Sequence, residues 1–430
     1  MTGGRISHII HYMNDNHSRD ESYYRPRWAA TILRKMAQES PVVVLTGARQ
    51  VGKSTLLSNE QPFSNWRYAS LDNYDVLEQA QRDPDAILAG SKDLVLDEIQ
   101  RAPGLLNAIK IAVDRRRGER HFVLSGSANL MLMSKVSESL AGRALTINLA
   151  PMTSGEQVMA KAPRLLESLL RAEPPSEGSI DVEDPIPLMQ RGFLPPLMML
   201  SGEASFVRWW EGYIATYLER DLRQLSQVES LPDFRRVMET LALRTGQLLN
   251  QTDVARNTGV SQPTVHRYLN LLETSCLLCR IPAFTPSRTK RLVKSPKVYW
   301  FDPGIATFLS GYYSAGDLRP SREAGGIFEC LVLLHLKALA QLMTPRPRIY
   351  YWRTLTGREV DFVIEQGRAV LPVEVKLTKK PNYGDARNIR FFLDEYPKAS
   401  LGVLVHTGSD VRLLDRDIVA IPWTLLAGVQ

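Results

Sequence analysis

The chain has 430 residues, a formal net charge of +7 and three cysteines. This length exceeds what one hydrophobic core normally serves, so we expect two to four domains. Three cysteines are too few for a disulfide framework, which excludes a small disulfide-stapled scaffold and agrees with a reducing cytosol. No stretch approaches about 20 apolar residues and the polar start lacks the apolar core of a signal peptide. The sequence therefore predicts a cytoplasmic protein with no membrane partner, and a disordered tail at residues 1–23.

An apolar run, PVVVL at residues 41–45, is typical of a buried parallel strand and leads directly into GARQVGKST at residues 47–55. A strand, a loop with a glycine at each end and then a helix form the context in which GxxxxGK[ST] binds nucleotide phosphates. We expect ATP on the backbone of this loop, with Lys53 reaching the β- and γ-phosphates and Ser54 binding Mg²⁺. The predicted contacts are Gly47, Ala48, Arg49, Gln50, Val51, Gly52, Lys53, Ser54 and Thr55.

Polar residues follow two further apolar runs. The first run ends in Asp97 and Glu98; Asp97 is predicted to complete the Mg²⁺ shell and Glu98 to act as the general base for hydrolysis. The alternative is an acid pair that caps a helix. After the second run, HFVL at residues 121–124, Ser127 or Asn129 is predicted to contact the γ-phosphate, unless this segment is a plain turn.

Arg143 precedes another apolar run, ALTINL. It is a candidate arginine finger, acting within its own chain or across a subunit boundary, and a structural salt bridge is the alternative. Action across a boundary would require a homo-oligomer.

The blocks GARQVGKST, LVLDEIQRAP, FVLSGSANL and LAGRALTINLAPM resemble the ATPase core of an AAA-type family. In that family a C-terminal domain of formerly unknown function follows the ATPase. The segments at residues 216–225 and 291–311 are similar to that C-terminal region, so the resemblance covers roughly residues 24–430. It implies an AAA-type P-loop ATPase domain at residues 24–155.

Residues 156–200 are predicted to be a lid or linker, with an exposed loop at AEPPSEGSIDVEDP. Residues 201–312 are predicted to be a helical domain, in which Trp210, Tyr213 and Tyr217 recur on one helix face and read as core. Within it, the segment from Gln251 to Glu273 has helix-turn-helix spacing typical of a winged helix. In DNA readers the second helix meets the major groove, here with the residues Ser261, Gln262, Thr264, His266 and Arg267. Such modules also serve as protein-contact lids.

A basic run follows at residues 280–297, with six cationic side chains and no acid. It is predicted to be either a phosphate-binding wing or a solvated loop.

Near the C-terminus, GREVDFVIEQGRAVLPVEVK at residues 357–376 predicts a β-hairpin that carries Asp361, Glu374 and Lys376. Residues two apart on a strand share a face, so Glu374 and Lys376 project together. An upstream helix offers Glu329. This pattern resembles the D…ExK signature of the restriction-endonuclease-like fold, which implies such a domain at residues 313–430. The resemblance implies Mg²⁺ or Mn²⁺ held by Glu329, Asp361 and Glu374, with Lys376 at the scissile phosphate.

The predicted fold class is α/β: an AAA-type P-loop ATPase core, a helical or winged-helix middle domain, and an α/β restriction-endonuclease-like C-terminal domain. The predicted function is ATP hydrolysis that controls binding or metal-dependent cleavage of nucleic acid, DNA or RNA. Two alternatives remain open at this point. One is an ATP-dependent DNA-binding switch with an inactive nuclease fold, and the other is an ATP-driven protein-interaction factor.

Overall fold

The structure is a computed structural model, and it describes residues 24–115, 119–126, 138–216, 228–285, 287, 291 and 294–429. The predicted tail at residues 1–23, the predicted phosphate contacts Ser127 and Asn129, and Tyr217 lie outside the described residues.

A five-stranded sheet forms the centre of the N-terminal region. Its strands are β1 (Val42–Thr46), β2 (Arg67–Ser70), β3 (Asp93–Asp97), β4 (His121–Ser125) and β5 (Ala144–Asn148). They lie in the order β2-β3-β4-β1-β5, and every neighbouring pair is parallel. The helices are α1 (Ala29–Glu39), α2 (Lys53–Asn59), α3 (Tyr74–Arg82), α4 (Pro84–Leu88) and α5 (Leu105–Arg115), with 3₁₀ helices at Phe63–Asn65 and Ile99–Arg101.

Strand β1 is buried along its whole length because it lies between β4 and β5 with packed layers on both faces. Val43 and Leu45 point into one hydrophobic core, whereas Val42 and Val44 point into another. This alternation follows from the two-residue period of a strand. Because all five strands are parallel, the loops after β1 and β3 meet at the same edge of the sheet.

The middle region is mainly helical. Its helices are α6 (Ser154–Gln157), α7 (Leu165–Leu170), α8 (Pro185–Arg191), α9 (Glu203–Tyr213), α10 (Leu231–Ala242), α11 (Gln251–Thr258) and α12 (Gln262–Thr274), with a 3₁₀ helix at Pro195–Met199. Trp210 and Tyr213 are buried, as expected for a core stripe. Between α11 and α12, Gly259 adopts a left-handed φ of 69°, and the Ser261 hydroxyl accepts a hydrogen bond from the Thr264 N–H at 3.3 Å.

Two antiparallel strands follow α12, namely β7 (Leu278–Ile281) and β8 (Lys297–Trp300). Two helices and a strand pair are the elements that a winged helix needs, but the winged-helix assignment itself remains a prediction.

A seven-stranded mixed sheet forms the C-terminal region. Its strands are β6 (Gly178–Ser179), β9 (Arg348–Arg353), β10 (Glu359–Gln366), β11 (Ala369–Lys376), β12 (Gly402–His406), β13 (Asp410–Asp415) and β14 (Ile418–Pro422), in the order β6-β13-β14-β12-β11-β10-β9. The remaining helices are α13 (Pro303–Leu309), α14 (Ala315–Leu318), α15 (Ala324–Gln341), α16 (Arg387–Glu395) and α17 (Thr424–Ala427), with a 3₁₀ helix at Tyr383–Ala386.

The exposed loop predicted at residues 172–185 contains the short strand β6. Ser179 pairs with Asp410 and Gly178 with Val411 of β13, so the segment forms the edge of the C-terminal sheet. The Glu177 carboxylate accepts the Leu413 N–H at 2.9 Å. The segment is exposed, as its composition suggests, but backbone pairing to a distant strand holds it in place.

Within the described residues, α15 is the one helix long and apolar enough to span a membrane, with 18 residues and a mean hydropathy of 1.3. However, 67% of it is buried inside the protein. The core helix of a soluble protein has the same properties, so α15 is weak evidence for a membrane span.

Candidate nucleotide site and carboxylate cluster

The phosphate-binding loop between β1 and α2 has a backbone that only small residues permit at two positions. A Cβ atom at Gly47 would lie 2.5 Å from the Leu149 carbonyl oxygen, and Gly52 adopts a left-handed φ of 94°. Gln50 also has a positive φ, 64°, which costs an ordinary side chain about 1 kcal/mol. Glycine is therefore required at both ends of the loop, and the loop leads directly into the N-terminus of α2.

Residues distant in sequence hold this loop. The Arg27 guanidinium donates to the Val51 carbonyl at 2.8 Å and to the Ala150 carbonyl at 2.7 Å. The Tyr213 hydroxyl, on α9, donates to the Arg49 carbonyl at 3.3 Å. The loop is thus held by Arg27, which precedes α1 and also binds the segment after β5, and by Tyr213 of the middle region.

The predicted nucleotide ligands converge. Lys53 is buried and its ammonium donates to the Gly47 and Ala48 carbonyls at 3.1 and 2.9 Å. Burial lowers the pKa of Lys53, and the carboxylates of Glu98 and Asp97 oppose that shift. The Ser54 hydroxyl donates to Asp97 Oδ2 at 2.6 Å.

This donor set fits a magnesium nucleotide. A hydroxyl and a carboxylate in direct contact are oxygen ligands of the kind that Mg²⁺ takes beside the phosphates in a P-loop site. Lys53 and the loop N–H groups supply the positive charge that the phosphates need. Tyr68, which sequence reasoning missed, also donates to Asp97 Oδ2, at 2.5 Å. Its signal was weak, because a tyrosine in a short strand such as β2 reads as ordinary packing.

Glu98 follows Asp97 at the end of β3 and adopts a left-handed backbone conformation, with φ 56° and ψ 41°. Burial and then the neighbouring Asp97 carboxylate raise its pKa, while Lys53 opposes the shift. The Gln100 amide donates to the Glu98 carboxylate. Glu98 thus lies directly after the predicted magnesium ligand, and its role as the general base stays a prediction.

Arg143 does not lie beside the phosphate loop of its own chain. Ala144 pairs with Val42 at the start of β1, whereas Asn148 pairs with Thr46 at the end that leads into the loop. Arg143 is therefore at the opposite edge of the sheet, where it forms a two-pronged salt bridge with Asp114 at 2.7 and 3.0 Å. A finger role within one chain does not fit this position, and a role across a subunit boundary stays a prediction.

Asn148, at the loop-side end of β5, connects three regions of the protein and was not predicted. Its amide donates to the Thr46 hydroxyl at 3.4 Å and to Cys276 Sγ at 2.9 Å, just after α12. Its carbonyl accepts from the Gln341 amide, at the end of α15, at 2.8 Å. Cys276 is half-buried, and burial raises the pKa of its thiol.

The C-terminal region brings the four predicted nuclease-like residues together. Glu329 lies on α15, Asp361 on β10, and Glu374 and Lys376 on β11. Phe362 pairs with Val373, which places Asp361 next to Glu374 across the hairpin. The Val375 N–H donates to Asp361 Oδ2 at 2.9 Å, and the Lys376 ammonium contacts Glu374 Oε1 at 2.7 Å.

A second lysine, not predicted, stands in the centre of this cluster. Lys297 is the first residue of β8, and its side chain is 1% exposed. Its ammonium lies 2.6 Å from Glu359 Oε1, 3.1 Å from Asp361 Oδ1 and 3.3 Å from Glu329 Oε2. Tyr299, two residues on, donates its hydroxyl to Glu329 Oε2 at 2.6 Å.

Burial and the charges within the cluster together set the pKa values of Glu329, Glu374 and Lys297. Burial and then the Asp361 charge raise the pKa of Glu329 to about 8, and the same two causes raise the pKa of Glu374 well above its ordinary value. Burial disfavours the ammonium of Lys297, but the charges of Glu329, Asp361 and Glu359 outweigh it and raise the pKa of Lys297.

The predicted metal set does not fit this arrangement. Among the described residues no three His, Cys, Asp or Glu side chains form a group that could hold a metal ion. Glu329, Asp361 and Glu374 are neighbours, but the Lys297 ammonium stands against two of them. The prediction of Mg²⁺ or Mn²⁺ on these three carboxylates therefore has no support from this arrangement.

A polar groove of about 960 Å³ runs beside the cluster. Gln262, at the start of α12, lines it together with Arg280, Lys294, Arg353 and Glu359. Glu359 thus belongs both to the groove and to the cluster.

The other residues predicted to contact DNA do not line this groove. Ser261 caps α12, the His266 ring contacts the Asn270 amide at 3.0 Å, and Arg267 pairs with Glu229 at 3.2 Å.

Comparison with known proteins identifies three domains. Residues 39–158 match the AAA domain, residues 183–315 match a domain of unknown function (DUF8612), and residues 324–426 match a domain of unknown function (DUF4143). A solved structure titled as the Walker-type ATPase PABY2304 of Pyrococcus abyssi aligns with a TM-score of 0.45 and 16% identity, over 68% of this chain and 97% of that chain. An uncharacterized protein of Haemophilus influenzae is 21% identical over 385 residues, which are 83% of this chain and 88% of that protein.

Two mycobacterial proteins are more similar. The uncharacterized proteins Rv2008c of Mycobacterium tuberculosis and Mb2031c of Mycobacterium bovis are each 32% identical over 400 residues, covering 92% of this chain and 83% of each relative. The chain therefore belongs to the family of these mycobacterial proteins, and its AAA domain, with the phosphate-binding loop described above, makes it an ATP-binding protein.

Proposed function

We propose that the protein is an ATP-hydrolysing switch whose nucleotide state controls the binding of nucleic acid in the groove between α12 and the C-terminal sheet. The observation that carries this proposal is the position of the exposed first turn of α12, which opens onto a polar groove with three cationic side chains, Arg280, Lys294 and Arg353.

Hydrolysis is supported by the residues around Asp97. Ser54 and Asp97 can hold Mg²⁺ with the phosphates, and Glu98 can take the proton of the attacking water, because its raised pKa makes it the stronger base. Lys53 lies close enough to the loop carbonyls to turn toward bound phosphate oxygens in their place.

Communication between the two sites has a physical route. A nucleotide that moves the loop end of β1 also moves Thr46, and Thr46 contacts the Asn148 amide. Asn148 in turn contacts Cys276, which joins α12 to β7. The switch can thus shift the orientation of α12, and with it one wall of the groove.

The groove has the character of a site for a polyanion. Lys294 is exposed, whereas Arg280 pairs with Glu273 and Arg353 pairs with Glu359. Cations of this kind bind phosphates by releasing counter-ions, so the affinity is expected to fall as the salt concentration rises. Gln262 can contact base edges, since glutamine is a hydrogen-bonding side chain with both a donor and an acceptor.

The proposal is tested with labelled single- and double-stranded DNA and RNA, measured by fluorescence anisotropy with ATP, with ADP and without nucleotide. Lys53→Ala should not respond to ATP, and Glu98→Gln should hold the ATP-bound affinity without turnover. Lys294→Glu should weaken binding by about 10-fold or more, because it places a negative charge in the groove. Lys398→Glu is the matched control, since Lys398 is also an exposed lysine but does not line the groove.

Two results would reject the proposal. One is the absence of binding to every polynucleotide in every nucleotide state, which would favour an ATP-driven protein-interaction factor. The other is binding with the same affinity in the Lys53→Ala and Glu98→Gln proteins at saturating ATP, which would remove the link between the two sites. Metal-dependent cleavage is not part of the proposal, because the carboxylate cluster does not fit a metal as it stands.

A further inference from the structure

The carboxylate cluster contains its own cation, and that cation comes from outside the hairpin that carries the D…ExK pattern. Lys297 opens β8, which pairs with β7 directly after the helix-turn-helix segment. Its ammonium reaches three carboxylates on two elements of the C-terminal region, namely Glu329 on α15 and Glu359 and Asp361 on β10. An ion pair between distant parts of the chain therefore fills the space between these carboxylates.

Four of the six carboxylate oxygens of Glu329, Asp361 and Glu374 already accept a hydrogen bond. Lys297 and Tyr299 both donate to Glu329 Oε2. Asp361 receives Lys297 on Oδ1 and the Val375 N–H on Oδ2. Glu374 has Lys376 on Oε1, and its buried Oε2 has no partner.

The contact lengths are those of an ammonium ion. The three oxygens lie 2.6–3.3 Å from Lys297 Nζ, which is hydrogen-bond distance. Mg²⁺ would require oxygens at about 2.0–2.1 Å and would meet the positive charge of the ammonium in a buried site. A divalent cation and the Lys297 ammonium are thus alternatives for one position. Glu374 Oε2 is buried without a hydrogen-bond partner, on a carboxylate whose pKa the charges of Asp361 and Glu329 help to raise.

We propose that Lys297 is an internal counter-ion that occupies the cation position of the Glu329–Asp361–Glu374 cluster. The natural chain is then closed to divalent metal at this place, and removal of the ammonium opens a site that binds a divalent cation. This inference concerns the cluster alone, so it stands or falls independently of nucleic-acid binding in the groove.

The test is binding of Mn²⁺ alone, measured by calorimetry and by the loss of the free Mn²⁺ paramagnetic resonance signal. All proteins carry Asp97→Asn, which removes the predicted metal ligand of the nucleotide site. With Lys297 present, no Mn²⁺ should bind at the cluster. With Lys297→Met, one equivalent should bind at least about 100-fold more tightly than to the protein that retains Lys297, because three carboxylates lose a shared counter-ion. Adding Asp361→Asn should abolish this binding.

Thermal unfolding supplies a second readout. Mn²⁺ should raise the melting temperature of the Lys297→Met protein and leave that of the Lys297 protein unchanged, since a ligand stabilises only the state that binds it. Lys376→Met is the matched control: it removes a lysine from the same cluster but retains Lys297, so it should gain no Mn²⁺ site.

Two outcomes would overturn the inference. The first is Mn²⁺ binding by the protein that retains Lys297, provided that Asp361→Asn abolishes it. The second is a folded Lys297→Met protein that takes up no Mn²⁺. If Lys297→Met folds only when Mn²⁺ is present, that rescue supports the inference, and if it folds under neither condition, Lys297→Gln replaces it in the same titration.

Discussion

His335 is expected to make the protein less stable in mild acid. The side chain is fully buried on α15, between the rings of Phe193 and Trp423. Its Nε2 accepts the Ser154 N–H at 3.1 Å, and Nδ1 donates to the Leu331 carbonyl at 2.9 Å, so the neutral ring has both nitrogens satisfied. Protonation would place a second N–H against the Ser154 donor.

Burial lowers the pKa of His335 from 6.5 to about 4. Between these two values the unfolded chain binds a proton that the folded chain does not, so stability is complete above pH 6.5 and falls as the pH decreases. At about 1.4 kcal/mol per pKa unit, the full effect is on the order of 3 kcal/mol, of which about 2 kcal/mol is lost between pH 7.5 and pH 5.

The assay is urea unfolding of the natural chain and of His335→Gln at these two pH values, followed by tryptophan fluorescence. A glutamine can accept the same N–H but does not titrate. The free-energy difference between the two proteins should therefore change by about 2 kcal/mol between the two pH values, because all other titrating groups are common to both. A difference that is the same at pH 7.5 and pH 5 would refute the reasoning.

Three further outcomes are expected. Glu98→Gln should retain ATP binding but lose about 100-fold or more of its turnover, and unchanged turnover would exclude Glu98 as the base. Arg143→Ala should leave ATP affinity unchanged, because the salt bridge with Asp114 lies at the far edge of the sheet; weaker binding by a monomeric protein would contradict this. Gly155→Ala should lower the unfolding free energy by about 1–3 kcal/mol, since its Cβ would lie 1.9 Å from the Ala427 carbonyl oxygen, and a thermal melt without any shift would show that this contact is not close.

The nucleotide site was the part most open to prediction. The strand, glycine-bracketed loop and helix are consecutive in the sequence, and the carboxylates of Asp97 and Glu98 follow an apolar run whose end must meet the same edge of a parallel sheet. The local sequence pattern and the rule that parallel strands end at one edge of the sheet were sufficient to predict that Ser54 and Asp97 lie together.

The position of Arg143 relative to the phosphate-binding loop could not be predicted from local pattern. Its place before an apolar run is correct, but only the strand register shows that it lies at the amino end of β5. Register across a parallel sheet depends on long-range pairing, which no local pattern contains.

Lys297 shows the same limit at the carboxylate cluster. It belongs to a basic run at residues 280–297 that reads as exposed, because charged side chains are almost never fully buried unless they are paired. Its partners lie 32, 62 and 64 residues further along the chain, at Glu329, Glu359 and Asp361. Asp361 was predicted from its hairpin and Glu329 from its helix. Glu359 and the Lys297 counter-ion were not predicted, because their contact joins distant parts of the chain.

The small strand β6 has a consequence for how the chain can be divided. It lies far ahead of the predicted start of the C-terminal domain at residue 313, yet it covers the outer edge of β13. A fragment cut at that boundary would present the backbone of β13 as an open edge, which is a template for pairing with other chains. The same cut would remove Lys297 from its acids. Two segments that are distant in sequence therefore build the C-terminal sheet. A fragment that retains the complete sheet must begin before Gly178.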